Sequence, residues 1–80
     1  MRRIMIQYRL FVQSMYDRFC GFYETYGISL FIDGEPTRII RDVSVDKEKA
    51  QHLVDILNEE QLEPEHFSQV VEEFLTDFEA

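Results

Sequence analysis

A single cysteine, Cys20, in a chain of eighty residues excludes an internal disulfide framework and a thiolate metal site. No apolar run approaches the roughly 18 residues of a membrane span. Gly, Pro and Ser gather nowhere into a linker, and there is neither an internal repeat nor a low-complexity segment. Lys and Arg are absent from residues 50–80, so the C-terminal part cannot supply a basic recognition helix to nucleic acid. The segment MRRIMIQYRLFVQSM begins with two arginines, but Gln7 and Arg9 break it before a continuous apolar stretch develops, and it does not read as a signal peptide. A cytoplasmic protein without membrane association is the expectation.

What is present argues for a folded chain. A hydrophobic content of 45% with 14% aromatics outweighs the disordering effect of a formal charge of −8, and residues 1–80 read as one small domain. A chain this short buries only about 60% of the surface its unfolded form exposes, so the core is small. Charge is divided unevenly. In residues 1–41 six arginines outnumber four carboxylates, a balance of +2, whereas in residues 42–80 two lysines face twelve carboxylates, a balance of −10. The acidic part repels nucleic acid and anionic lipid.

From Ile4 to Val12 the even positions are Ile4, Ile6, Tyr8, Leu10 and Val12, while Arg3, Gln7 and Arg9 fall between them, the alternation of a half-buried strand. Phe22 to Ile32 repeats the pattern with Phe22, Tyr26, Ile28, Leu30 and Ile32 on one face. Asp33-Gly34 then predicts a type I′ turn, which needs positive φ at both central positions. That turn sets Ile32 opposite Glu35, Leu30 opposite Thr37, Ile28 opposite Ile39 and Tyr26 opposite Arg41, and Pro36 marks the third strand as an edge. For the first two strands, keeping both apolar sets on one face pairs Tyr16 with Phe22 around a five-residue loop, DRFCG. It also sets Phe11 opposite Gly27, where a ring can cover a residue without a side chain. Tyr16, Phe22 and Tyr26 then belong to the core-facing side.

After Val43 the period changes. Ser44 reads as an N-cap, and Ala50, Leu53, Val54 and Leu57 follow at helical spacing, predicting a helix over about 45–60. Pro64 stands at the first position of a second helix, whose stripe is Phe67, Val70, Val71, Phe74, Leu75 and Phe78. The predicted fold class is α+β: a three-stranded antiparallel meander followed by two helices packed on one face, βββαα in two layers. The other face of the sheet is left open.

Tyr26-Gly27-Ile28, the helix entry VSVDKEKAQHLVDILN and the segment LEPEHFSQVVEEFL together resemble a family of short bacterial (clostridia-type) proteins catalogued as a domain of unknown function. The resemblance spans about residues 8–78. It implies a small cytoplasmic bacterial protein, and it supplies no activity, cofactor or catalytic residue.

Three groups invite a chemical reading. Glu48, His52, Asp55 and Glu59 recur along one helical stripe and are ligand types for a divalent metal, but the stripe lies opposite Leu53, Val54 and Leu57 and reads as a solvated face. His66, between Glu65 and the second helix and near Glu63, reads as a surface residue open to protonation. Cys20 has Arg18 close by to favour the thiolate, but neither histidine is near it in sequence to act as a base. No catalytic, metal or cofactor site is therefore assigned, and the protein is not expected to be an enzyme. The open sheet face is more informative, because it gathers Arg9, Phe11, Met15, Tyr23, Phe31, Arg38 and Ile40. Met, Tyr, Phe and Arg are enriched in protein interfaces. The reading is a non-catalytic interaction or self-association module, with a protein partner or a second copy (a homodimer) on Phe11, Met15, Phe19, Tyr23, Phe31 and Ile40. The alternative is binding of single-stranded nucleic acid by arginine and ring stacking, which the acidic charge weighs against. An enzyme with an unrecognised site comes third.

Overall fold

The computed structural model describes the backbone of residues 4–79 and the side chains of residues 4–76; the Phe78 ring assigned to the second helical stripe lies outside the described residues. The chain runs β1 (Ile6–Asp17), β2 (Gly21–Ile32), β3 (Glu35–Ser44), α1 (Lys47–Glu60), a 3-10 turn (Pro64–His66) and α2 (Phe67–Glu79). The sheet is antiparallel in the order β1-β2-β3, the predicted meander.

The β1–β2 register is the predicted one, with Tyr16 opposite Phe22 and Phe11 opposite Gly27, unbroken along both strands. The connecting loop is shorter than expected. Asp17 and Gly21 pair, leaving Arg18, Phe19 and Cys20 in the turn. The Asp17 Oδ1 accepts hydrogen bonds from the Phe19 N–H (2.7 Å) and the Cys20 N–H (3.2 Å), and Gly21 takes φ 79°. A carboxylate that accepts from the amides two and three residues further on, followed by a glycine in the left-handed region, closes a hairpin in three residues.

Between β2 and β3 the Asp33-Gly34 turn has φ of 52° and 84°, as a type I′ turn requires. Ile32 faces Glu35 and Phe31 faces Pro36 as predicted, but the ladder then slips at Thr37, so that Leu30 faces Arg38, Ser29 faces Ile39 and Ile28 faces Ile40. A second irregularity brings Tyr26 opposite Ser44. One inserted residue exchanges the faces of everything after it. Ile40 and Arg38, expected on the open face, therefore belong to the helical side. Ile40 packs against the core, and Ile39 takes the outer position with 51% of its surface exposed. The physical cause of the slip is the burial it gives Ile40 against the core, and the second irregularity turns the buried Val43 back toward the helices.

α1 starts two residues later than the Ser44 cap predicts. Asp46 is the N-cap, its Oδ1 accepting from the Glu48 and Lys49 amides at 2.9 and 3.3 Å, while the Ser44 Oγ accepts from the Asp46 N–H. Ala50, Leu53, Val54 and Leu57 are buried against Tyr8, Ile28, Leu30 and Val43, and α2 adds Phe67 and Val71. The Phe67 ring meets Tyr8 edge-on at 5.1 Å, an arrangement favoured by opposed ring quadrupoles. Burial raises the Tyr8 hydroxyl above its ordinary pKa of 10.0, and that hydroxyl donates to the Leu62 carbonyl at 2.7 Å.

The helical layer is shorter than the sheet. Strands of twelve residues reach about 40 Å, whereas the fourteen residues of α1 rise only about 21 Å. The layer covers the end of the sheet near the Asp33-Gly34 turn and leaves the far end bare. Tyr16 and Phe22, predicted to face the core, are 66% and 81% exposed for this reason.

Candidate interaction surface

The bare end of the β1–β2 hairpin carries rings on both sides. On the helical side, Tyr16 and Phe22 face each other across the strands with centroids 5.1 Å apart, and Val12 continues the patch toward α1. On the open side, Phe11 covers Gly27 and Met15 lies opposite a half-buried Tyr23. Phe19, at the tip, is 89% exposed, with the Arg18 guanidinium 5.8 Å from its ring centre. Phe31 sits further along the open face under the Arg9 guanidinium, 4.4 Å from the ring centroid, and Arg9 also donates to Gln7 Oε1 at 3.0 Å. Of the predicted surface residues, Phe11, Met15, Tyr23 and Phe31 share this face and Phe19 stands at its end. Ile40 does not join them, and Ile39 lies beside Ser29, Phe31 and Pro36 in its place.

Sequence reasoning missed the polar clasp beneath this face. Thr25 is fully buried, its hydroxyl 2.6 Å from Asp42 Oδ1 and 3.1 Å from the Ser44 carbonyl, and its one proton serves the shorter contact. Asp42 holds φ 54°, which L-residues other than Asn, Asp and Gly rarely adopt, and the clasp secures the second irregularity of β3. Gly27 is equally constrained, since a Cβ there would stand 2.4 Å from the Phe11 ring and 2.6 Å from the Ile40 carbonyl oxygen. Next to it, Gln13 donates to the Met15 sulfur at 3.3 Å, and its buried Oε1 meets no donor.

A second missed residue is Asn58. Its side-chain amide accepts from the Tyr8 N–H at 2.8 Å and donates to the Tyr8 carbonyl at 2.9 Å, filling both positions that a neighbouring strand would take. Gln61 reaches the Ile6 carbonyl at 3.4 Å beside it. The available signal was a polar residue four places after Val54, on the buried stripe of α1.

The groups with chemical promise stay apart. Glu48, His52 and Asp55 line a shallow exposed groove of about 370 Å³ with Lys47 and Gln51, and Gln51 donates to Asp55 at 2.9 Å. Glu63, Glu65 and His66 bring ligand atoms within 4.8 Å of one another, all exposed on the 3-10 turn, with His66 Nε2 3.9 and 3.7 Å from the two carboxylates. Cys20 is exposed at the hairpin tip, at the opposite end of β1 from the Tyr8–Leu62 contact near which His66 lies. A cleft of about 380 Å³ between the end of β3, the start of α1 and α2 is lined by Val45, Asp46, Phe74 and Leu75 among others, and its carboxylates Asp42 and Asp46 are held by Thr25 and by the α1 amides. Among the described residues no helix is long and apolar enough to cross a membrane.

No curated protein and no solved structure matches the chain. A protein-family model matches residues 1–77, almost its whole length, and the chain belongs to that family, described as a family of unknown function (DUF6514).

Proposed function

We propose that this is a non-catalytic protein–protein interaction module of the bacterial cytoplasm that works through the bare end of its β1–β2 hairpin. The contact surface is Phe11, Met15 and Tyr23 with Phe19 at the tip, and it continues along the open face to Phe31 and Ile39 near the Asp33-Gly34 turn. One observation carries the reading: the hairpin outruns its helical cover, so Tyr16 and Phe22 are exposed on one side and Phe19 at the tip, while Phe11, Tyr23 and Phe31 stay half-buried on the side that no helix covers. Exposed apolar surface of this kind on a small soluble domain is a mark of association, and the residue types are those that anchor interfaces. The simplest occupant is a second copy, because a strongly acidic chain meets its own kind most readily along a surface without carboxylates.

The test is sedimentation velocity over a concentration series, comparing wild type with Tyr23→Glu and Phe31→Glu and verifying the fold of each by circular dichroism. Association in the wild type that either carboxylate weakens supports the reading. Association indifferent to both moves the contact elsewhere. The nucleic-acid alternative rests on the Arg9–Phe31 stack, a cation and ring that could receive a base. Its signature would be binding of short single strands that weakens steeply with salt.

A further inference from the structure

We infer that β1 is the seam of a symmetric dimer, joined edge to edge with β1 of a second copy, in a register centred on Gln13. The inference rests on the self-association reading and names its geometry.

β1 is an outer strand. The Tyr8 N–H and carbonyl both point away from β2, since both bond to Asn58, and the Ile6 carbonyl points the same way toward Gln61. The β1–β2 ladder has no irregularity, so the alternation of an antiparallel ladder directs the N–H and carbonyl of Leu10, Val12, Ser14 and Tyr16 outward as well. No hydrogen bond within the described chain reaches them. Natural edge strands are usually blunted by lysine, proline, an inward charge or a bulge. Residues 10–16, LFVQSMY, contain none of these and no charge of any kind.

The open stretch is bounded at one end by the Asn58 amide and at the other by the turn after Asp17. Its midpoint is Gln13, and an antiparallel partner that uses all of it must place Gln13 beside its own copy. Leu10 then faces Tyr16 of the second copy and Val12 faces its Ser14, each pair exchanging both backbone bonds. On the open face, Phe11 meets the second Met15, a favourable sulfur–ring contact. Gln13, whose amide has only a thioether as partner among the described residues, meets another amide. Charge agrees with this register. It carries Arg18 of each copy opposite Tyr8, the position filled by Asn58, beside Glu59 and Glu60 at the acidic end of the other copy's α1. The basic and acidic parts of the chain are thereby brought together.

The experiment uses a Cys20→Ser background. Gln13→Cys sits at a non-hydrogen-bonded pair on the two-fold axis, where Cβ atoms approach closely enough for a disulfide. Ser14→Cys lies off the axis, too far from its own copy to bridge. Mild oxidation should cross-link Gln13→Cys into a dimer and leave Ser14→Cys single. Independently, Ser14→Pro removes an outward N–H that β1 does not use in its own sheet. Both copies carry the change, so dimer affinity should fall about tenfold or more while circular dichroism stays native. A folded Gln13→Cys that does not cross-link, or a Ser14→Pro that associates as tightly as wild type, overturns the seam. If Tyr23→Glu still weakens association in that case, the face reading survives without it. A wild type monomeric up to millimolar concentration overturns the seam and leaves the hairpin face to a different protein.

Discussion

Replacing Asn58 by alanine should be among the most damaging single changes on the surface of α1. The native amide makes two bonds to Tyr8, of 2.8 and 2.9 Å, and Tyr8 itself is 1% exposed. Two net hydrogen bonds are worth about 2 kcal/mol, and each backbone group left poorly solvated adds about 1 kcal/mol or more. Alanine returns about 0.5 kcal/mol through helix propensity. The balance is a loss of about 3–4 kcal/mol, against a total of about 4–12 kcal/mol for a domain of this length. In urea unfolding followed at the helical circular-dichroism band, a denaturant slope near ~1 kcal/mol/M converts that loss into a midpoint lower by about 3 M or more with the slope unchanged. Gln51→Ala is the control, because the Gln51 side chain bonds to Asp55 on the exposed side of the same helix. If Asn58→Ala shifts the midpoint no more than Gln51→Ala does, the amide is not acting as a stand-in strand, and the limit placed on the open stretch of β1 loses its basis.

Gly27→Ala forces a methyl into the Phe11 ring and the Ile40 backbone oxygen, and a backbone atom yields less than a side chain, so thermal unfolding should show a loss of about 1–3 kcal/mol or more. Phe67→Ala, at a fully buried ring, should cost about 3–5 kcal/mol, while Phe22→Ser, at a ring 81% exposed, should stay within about 0.5 kcal/mol; equal losses in denaturant melts would mean the helical layer reaches further than described. The raised pKa of Tyr8 stabilises the fold fully below its unfolded value of 10.0, and this contribution is lost as pH rises through the folded value. Stability measured against pH should therefore decline above pH 10, and Tyr8→Phe should flatten that decline at a neutral-pH cost of about 1 kcal/mol for the lost bond to Leu62.

The sequence announces the parts of this fold governed by neighbouring residues. Asp33-Gly34 determines its turn because positive φ at two successive positions leaves few residue choices, and the even-position apolar run of β1 and β2 determines their mutual register. The departures come where distant packing decides. Nothing at Thr37 signals a slipped ladder; the slip arises from the burial that Ile40 gains against the core. Asp42 and Gln61 occupy left-handed backbone usually left to glycine, Asp42 secured by Thr25 and Gln61 by bonds closing the end of α1. Of the candidate surface, the side taken by Phe11, Met15, Tyr23 and Phe31 was legible from alternation, and the place of Phe19 from the loop between the strands. The exposure of Tyr16 and Phe22 was not, because alternation gives the side a residue faces and says nothing of how far a helix extends over it.

The irregular third strand bears on what such a protein can build. Pro36 presents no N–H to its outer neighbour, Thr37 interrupts the ladder, and Asp42 bends the strand once more. A sheet whose two borders were both smooth would recruit copy after copy and grow into a ribbon. Here only the β1 border is smooth, so a dimer seamed there would present two irregular outer strands, and the kink that tucks Ile40 inside would work against further growth into a fibre.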